Sequence, residues 1–297
     1  MKYDKPPIEL AQQLMILRQR GLEIENEGNA LDCLRSISYF RLANYWKPME
    51  IEKENHSFRP NSHFEEVVRL YLFDKRLRSL MFAAIQDLEV ALRTRIIQSF
   101  SFPYGAFWFM DDTLFKDKVI YLSCLECIRK EVYRSNEDFI KEHFMRYDEP
   151  SLPPVWKTME VVSFGVLSKL YCNFRDVQLK KSVASSFGLP QYTYLESWMK
   201  CATVLRNYCA HHARLWNRRF PWKPQLPERL PLKWIRTLPL RPYKLYAQLC
   251  YLSYLEQNIT PCSRLNEKLS ALLEGASPAF LKAMGFPERW KEEELFR

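Results

Sequence analysis

The chain has 297 residues, of which 47% are hydrophobic and only seven are glycines. This composition indicates a folded globular protein, and the lack of GxGxxG and GxxxxGK[ST] motifs argues against a Rossmann or P-loop nucleotide-binding enzyme. Lysine and arginine (44) outnumber aspartate and glutamate (35), so the formal net charge is +9 at pH 7. Such a charge favours a polyanionic partner, although it also fits a merely soluble basic protein.

The N-terminal sequence MKYDKPPIELAQQL has no apolar core of the secretory type, and no later segment has the ~18 consecutive apolar residues of a membrane helix. We therefore expect a cytoplasmic protein with no membrane partner. Its eight cysteines should be reduced in that compartment. The CxxC pair Cys124 and Cys127 has no further cysteines or histidines nearby to complete a zinc site, so no metal and no cofactor is predicted.

Apolar residues recur every three or four positions along most of the chain, which is the spacing of an amphipathic helix. In chain order, this spacing predicts helices at residues 8–20, 30–44, 64–100, 114–133, 155–173, 176–187, 191–217, 243–257 and 262–273. Residues 64–100 contain neither Gly nor Pro, so they should form one long helix or two abutting ones. The predicted fold class is all-α.

Residues 220–242 interrupt this helical pattern with six prolines. Long ordered loops inside a helical protein are unusual and tend to carry function. The predicted organisation of the single protein spanning residues 1–297 has three parts: an N-terminal helical lobe (1–63), a helical core (64–218), and a basic, proline-rich loop with a C-terminal helical lobe (219–297).

The basic residues concentrate around this loop. Residues 204–244 contain ten lysines and arginines against one acid, so their local excess equals that of the whole chain. Interleaved with them are five aromatic residues: Trp216, Phe220, Trp222, Trp234 and Tyr243. Two interpretations remain open, because unpaired RNA bases stack on such rings, whereas tryptophans can also strap a basic loop over a core.

The segment TVLRNYCAHHARLWNRR (203–219) places two of the five histidines between arginines. On a continuous helix, one polar stripe would contain Asn207, His211, Arg214 and Arg218. Arg206 would lie about 140° around the helix from His211 and would reach a shared ligand through its long side chain. Arginine neutralises phosphate and histidine moves protons at neutral pH. RNA cleavage by its own 2′-hydroxyl requires these two functions and no metal.

The sequence LRNYCAHHARLWNR (205–218) closely resembles the signature of the Abi-like (abortive infection, AbiD/AbiF-type) proteins, a branch of the HEPN superfamily. Four further stretches resemble family blocks in family order: ISYFRLANYWKP (37–48), FDKRLRSLMFAAIQDLEVALRTRI (73–96), LPPVWKTMEVVSFGVLSKLY (152–171) and MGFPERW (284–290). The resemblance implies an all-α, HEPN-type helical bundle core with N- and C-terminal helical additions. It also implies metal-independent endoribonuclease activity at a site shared by a homodimer, a role in phage defence or toxin–antitoxin control, and, in some relatives, a small noncoding RNA as antitoxin.

By position, the resemblance makes Arg206 the motif arginine that binds the scissile phosphate. Asn207 is the polar residue that follows it, and His211 is the motif histidine that acts as general acid or base. His212 is also typical of this branch, but the motif assigns it no proton transfer, so it is a supporting residue.

Glu89 is a second supporting candidate, because HEPN proteins often place an acidic residue of a core helix against the motif arginine Arg206. The alternative is an ordinary surface ion pair between Glu89 and Arg93, which are four residues apart. RNA contacts are predicted at nine basic residues: Arg41, Arg93, Arg214, Arg218, Arg219, Lys223, Arg229, Lys233 and Arg236.

The sequence therefore predicts a metal-independent HEPN endoribonuclease with an RNA substrate, acting as an abortive-infection or toxin–antitoxin effector. One alternative is a noncatalytic RNA-binding protein that a small noncoding RNA regulates. A third interpretation is a helical protein-binding module in which the histidines are structural.

Overall fold

The computed structural model describes residue 2, residues 6–52, 54–259, residue 262 and residues 264–297. Thirteen α-helices and four short strands occur among these residues, which confirms the all-α fold class. No helix in the described ranges is long and apolar enough to span a membrane. The chain divides into two compact units, Met1–Arg78 and Ser79–Arg297, so residues 219–297 share a unit with most of the predicted core.

The first unit contains three short helices, two small β-ladders and the beginning of a long helix. The helices are α1 (Leu10–Gln19), α2 (Glu27–Ile37), α3 (Tyr39–Trp46) and the start of α4 (Phe64–Tyr104). Strands β1 (Leu22–Glu23) and β4 (Ser62–His63) pair in parallel, while β2 (Glu50–Glu52) and β3 (Ser57–Phe58) pair antiparallel.

The helix predicted over residues 30–44 is two helices in the structure. Ser38 separates α2 from α3, because its φ of 71° lies outside the helical region. Its side-chain oxygen accepts a hydrogen bond from the backbone N–H of Arg41 at 3.4 Å and so caps the N-terminus of α3. Neither Gly nor Pro marks this break, so the apolar spacing alone did not show it.

A buried polar network joins α3 to the first part of α4. The Tyr45 hydroxyl donates to the Asp74 carboxylate at 2.7 Å and accepts from the Arg78 guanidinium at 3.1 Å, and Arg78 also pairs with Asp74. The side chains of Asp74 and Arg78 are 0% and 6% exposed. Charges buried to this extent require a partner, so the network fixes how the two helices pack.

Helix α4 is one continuous helix of 41 residues, which was one of the two predicted alternatives. Six of its buried side chains follow the helical spacing seen in the sequence: Leu77, Met81, Ile85, Leu88, Leu92 and Ile96. The helix ends before Gly105, whose φ of 77° is a conformation that favours glycine.

The second unit contains the remaining helices. These are α5 (Lys118–Arg134), α6 (Asp138–Arg146), α7 (Val155–Val161), α8 (Phe164–Asn173), α9 (Val177–Ser186), α10 (Tyr192–Ala210), α11 (Leu245–Glu256), α12 (Leu265–Leu272) and α13 (Pro278–Ala283). Helix α10 packs against α8, α9 and α11, and α5 packs against α7 and α8.

Several of these helices differ from the sequence prediction. The pattern over 155–173 is two helices, α7 and α8, while α6 and α13 were not predicted. The helix predicted over 262–273 begins at Leu265, and residue 263 of that prediction lies outside the described residues.

Helix α11 is central to the second unit, since every residue from Leu245 to Leu255 is buried. Its Tyr251 and Tyr254 rings pack on Trp198 of α10, each with a centroid separation of 5.8 Å. Just before α10, Gly188 has a φ of 72°, and a Cβ there would lie 2.9 Å from the Tyr254 hydroxyl oxygen. That hydroxyl donates to the Gly188 carbonyl oxygen at 2.7 Å, so the glycine permits the close approach that sets the chain's path into α10.

A fully buried lysine joins α9 to α10. The Lys180 side chain is 0% exposed, pairs with the Glu196 carboxylate, and donates to the Cys172 carbonyl oxygen at 3.1 Å. Its ammonium also lies 5.6 and 4.9 Å from the ring centroids of Tyr171 and Tyr192. Burial lowers the pKa of Lys180, and the hydrogen bond and charge of Glu196 oppose that shift. The pair therefore holds Glu196 at a fixed place on α10.

Candidate functional site

The motif residues lie where α10 ends. Arg206 and Asn207 belong to its final two turns, and His211 caps it, with its backbone N–H bonded to the Asn207 carbonyl oxygen at 2.9 Å. Arg206 is half-buried, while Asn207 and His211 are exposed. Within the described part of the chain, the Arg206 guanidinium and the His211 ring form no hydrogen bond or ion pair. Both groups are therefore available to a ligand.

Helix α10 stops at Ala210, earlier than the sequence predicts, because His212 adopts a φ of 55°. The backbone N–H of His212 bonds to the Cys209 carbonyl oxygen at 3.1 Å, and that of Ala213 bonds to the Tyr208 carbonyl oxygen at 2.8 Å. This pair of bonds is the Schellman motif, whose left-handed position is usually a glycine. His212 occupies that position here, so its visible role is to end the helix.

The predicted polar stripe is therefore wrong beyond His211. Asn207 and His211 share a face, but Arg214 and Arg218 follow the helix in irregular chain. The Arg218 Nε–H donates to the Arg214 carbonyl oxygen, and its guanidinium carbon lies 4.2 Å from the centroid of the Tyr208 ring. Arg218 thus returns to the last turn of α10 instead of extending it.

Glu89 pairs with Arg93. It forms no hydrogen bond or ion pair with Arg206, the contact that the resemblance predicts, among the described residues. The Glu89 carboxylate accepts a hydrogen bond from the Arg93 guanidinium at 2.9 Å, and Arg93 also donates to the Val162 carbonyl oxygen at 3.2 Å. The side chains of Glu89 and Arg93 are only 15% and 10% exposed, so this is an interior pair rather than a surface one. Arg93, which the sequence predicts to contact RNA, is 8% exposed as a whole residue, and its guanidinium is already bonded to these two partners.

All of the predicted RNA contacts except Arg93 lie at or near the surface. Arg219 is exposed and lies 4.0 Å from the centroid of the Tyr243 ring. Lys223 and Arg229 are exposed in the proline-rich loop. Arg41 is half-buried on α3 in the first unit.

The other two loop cations contact the C-terminal segment. Lys233 donates to the Arg297 carbonyl oxygen at 3.3 Å, and Arg236 forms an ion pair with Glu294. Arg236 holds the pKa of the Glu294 carboxyl below its ordinary value, through a hydrogen bond and its charge. The backbone N–H of Arg236 also donates to the Glu293 carboxylate at 2.6 Å. These acids lie outside residues 204–244, so the local charge excess counted there overstates the free positive charge of the loop.

Most of the interleaved aromatic residues are buried and anchor the loop to the core. Trp216, Phe220 and Trp234 are buried, whereas Trp222 is 58% exposed. The Trp234 indole N–H donates to a carbonyl oxygen within the loop at 2.8 Å, and its ring stacks on Trp198 at 6.0 Å. Only Trp222 of these four rings is widely accessible to a base.

An open groove of about 1010 Å³ lies between α10 and the proline-rich loop. Its charged and aromatic lining includes Lys200, Tyr208, Arg219, Trp222, Lys223 and Tyr243. Sequence reasoning selected Arg219 and Lys223 but missed Lys200. The signal was present, because Lys200 lies seven residues, or two helical turns, before Asn207 and therefore on the same face of α10.

One group of metal-ligand side chains occurs among the described residues, formed by Glu25, His63 and Glu65. The pairing of β1 with β4 sets His63 opposite Glu23, and His63 Nδ1 lies 3.5 Å from a Glu25 carboxylate oxygen. The group belongs to the first unit and contains no motif residue.

The architecture and the helix end define an all-α protein that presents an arginine and a histidine at the end of one core helix. A family model described as Abi-like protein matches residues 32–217, and the chain belongs to that family. Comparison with curated proteins and with solved structures found no match. The matched range contains all of α10 and ends before the proline-rich loop. Membership of the family indicates a role in abortive infection.

Proposed function

We propose that this protein is a metal-independent endoribonuclease of the HEPN type that acts as an abortive-infection or toxin–antitoxin effector. The observation that carries the proposal is the end of α10. Arg206 and Asn207 lie in its last two turns, and His211 is its C-cap residue. The Arg206 guanidinium and the His211 ring have no partners among the described residues, as expected of groups that bind a phosphate and move a proton.

In the proposed reaction, the 2′-hydroxyl oxygen attacks the adjacent phosphorus and the bond to the 5′-oxygen of the next nucleotide breaks. Arg206 neutralises the charge that develops on the phosphate oxygens. His211 takes the 2′-hydroxyl proton or gives a proton to the leaving 5′-oxygen. Asn207, on the same helix face as His211, orients the histidine or a phosphate oxygen. The products are a 2′,3′-cyclic phosphate and a 5′-hydroxyl end.

This chemistry predicts that cleavage persists in EDTA and leaves 2′,3′-cyclic phosphate ends, because the nucleophile is supplied by the RNA. An RNA with methylated 2′-hydroxyls should resist cleavage for the same reason. Incubation of both RNAs with the purified protein, followed by analysis of the product ends, tests this directly. A requirement for Mg²⁺, or equal cleavage of the methylated RNA, would contradict the proposal.

A homodimer that pairs two α10 ends is part of the proposal. One protomer supplies one motif histidine, whereas the reaction has two proton transfers, and an isologous two-fold interface would bring two copies of the same patch together. Light scattering across micromolar concentration should therefore show a dimer. A monomer with full activity over that range would reject the composite site. A small noncoding RNA bound to the same basic surface is the proposed antitoxin.

A noncatalytic RNA-binding protein, regulated by a small noncoding RNA, is the second candidate. The observation that favours it is the groove beside α10, whose cations Lys200, Arg219 and Lys223 are separate from Arg206 and His211. Binding without any cleavage by the wild-type chain would support this candidate over the nuclease.

A further inference from the structure

We infer that the groove between α10 and the proline-rich loop binds a single-stranded polynucleotide through its phosphates and one stacked base, and thereby selects unpaired over duplex RNA. The identity of the strand as RNA rests on the proposed function. The groove itself is independent of the catalytic residues, since neither Arg206 nor His211 lines it.

The charge of the groove favours a polyanion. Lys200, Arg219 and Lys223 line it together with a single carboxylate, that of Glu196. Glu196 is already paired with the fully buried Lys180, so the lysine ammonium neutralises its negative charge. The cations facing the groove therefore outnumber the acid, and phosphates are the groups that such a surface neutralises.

The aromatic lining provides a surface for a base. Trp222 is 58% exposed, although its backbone is held by a hydrogen bond from the Gln248 side chain to its carbonyl oxygen at 3.4 Å. Tyr243 also lines the groove: the Arg219 guanidinium lies 4.0 Å from the centroid of its ring, and its carbonyl oxygen accepts a hydrogen bond from the Phe220 N–H at 2.8 Å. An exposed indole on an anchored backbone suits stacking, which every base permits.

The length of the groove favours a strand over a mononucleotide. Along α10 its lining runs from Thr193 to Tyr208, a distance of roughly 22 Å at 1.5 Å per residue. Tyr208 directly follows Asn207, so one end of the groove lies at the turn that carries the motif. A duplex keeps its bases stacked on each other and could not offer one to Trp222, whereas an unpaired strand can.

The test uses the full chain with His211→Ala, so that cleavage does not interfere, and a fluorescein-labelled 12-nucleotide RNA whose anisotropy reports binding. The single strand should bind roughly 10-fold more tightly than the same strand annealed to its complement, because only the unpaired strand can stack a base on Trp222. Trp222→Ala should weaken single-strand binding by roughly 5- to 150-fold, the usual range for one stacked base. Lys200→Gln and Lys223→Gln should each flatten the slope of log K against log salt by about 0.7.

Matched controls are available in the same unit. Trp156 on α7 is 51% exposed and Lys181 on α9 is exposed, and neither lines the groove. Trp156→Ala and Lys181→Gln should leave single-strand affinity unchanged, and thermal unfolding monitored by circular dichroism checks that all variants are folded. Equal affinity for duplex, competition by AMP at the same concentration as the strand, or a Trp222→Ala effect no larger than that of Trp156→Ala would overturn the inference.

The experiments test RNA binding in the groove and RNA cleavage as two separate hypotheses. If the wild-type chain binds the single strand through Trp222 but never cleaves it, the nuclease is rejected and the groove stands. If cleavage is present and the groove variants bind normally, the groove is rejected and the nuclease stands.

Discussion

Replacement of His211 by alanine is expected to slow RNA cleavage by about 10²- to 10⁴-fold, the loss typical of a missing proton-transfer group. RNA affinity should change little, because His211 does not line the groove. The fold should also be unaffected, since the exposed ring has no partner among the described residues. Single-turnover cleavage at saturating RNA, together with anisotropy titration, measures the two quantities separately.

The adjacent histidine provides the matched control. His212 is also exposed, but its φ of 55° sets the end of α10, and asparagine tolerates that conformation. His212→Asn should therefore cleave at close to the wild-type rate. If the His211 and His212 variants lost cleavage equally, or if His211→Ala retained it, proton transfer would not belong to His211.

Replacement of Asp74 by alanine is expected to lower the free energy of unfolding by about 3–5 kcal/mol, the usual cost of removing one partner from a buried ion pair. The change leaves the buried Arg78 guanidinium without its carboxylate and the Tyr45 hydroxyl without its acceptor. Urea unfolding monitored by circular dichroism measures the loss. Replacing both Asp74 and Arg78 by leucine should recover much of it, since no buried charge would then remain.

The control for Asp74 is a pair with the same chemistry and spacing at the surface. Glu126 and Lys130 on α5 are also four residues apart, but their side chains are 68% and 71% exposed. Glu126→Ala should produce no measurable loss of stability, because water solvates the lysine that remains. Similar losses for Asp74→Ala and Glu126→Ala would show that burial is not what makes the first pair important.

The sequence predicts most helices because apolar spacing is a local property, and α4, α9 and α11 follow it closely. Helix breaks at non-glycine residues are harder to predict. Ser38 and His212 end or separate helices with φ values of 71° and 55°, conformations whose usual marker, glycine, is missing at both positions. The predicted helix over 191–217 was therefore too long.

The candidate site shows the same limit at longer range. Arg206, Asn207 and His211 were identified because they are close together in the sequence and match a family motif. By contrast, Arg236 pairs with Glu294, which is 58 residues away from it in the sequence. Arg93 donates to the carbonyl oxygen of Val162, which is 69 residues away from Arg93. Such contacts decide which arginines are free to meet a ligand, and no local pattern encodes them.

The burial of Lys180 has a practical use in measuring motion. Lys180 is fully buried between α9 and α10, while its sequence neighbour Lys181 is exposed. An acylating reagent can modify the Lys181 amine in the native protein, but it reaches the Lys180 amine only when these two helices separate. The ratio of acylation at the two positions therefore reports how often this interface opens, with Lys181 as an internal standard for reagent exposure.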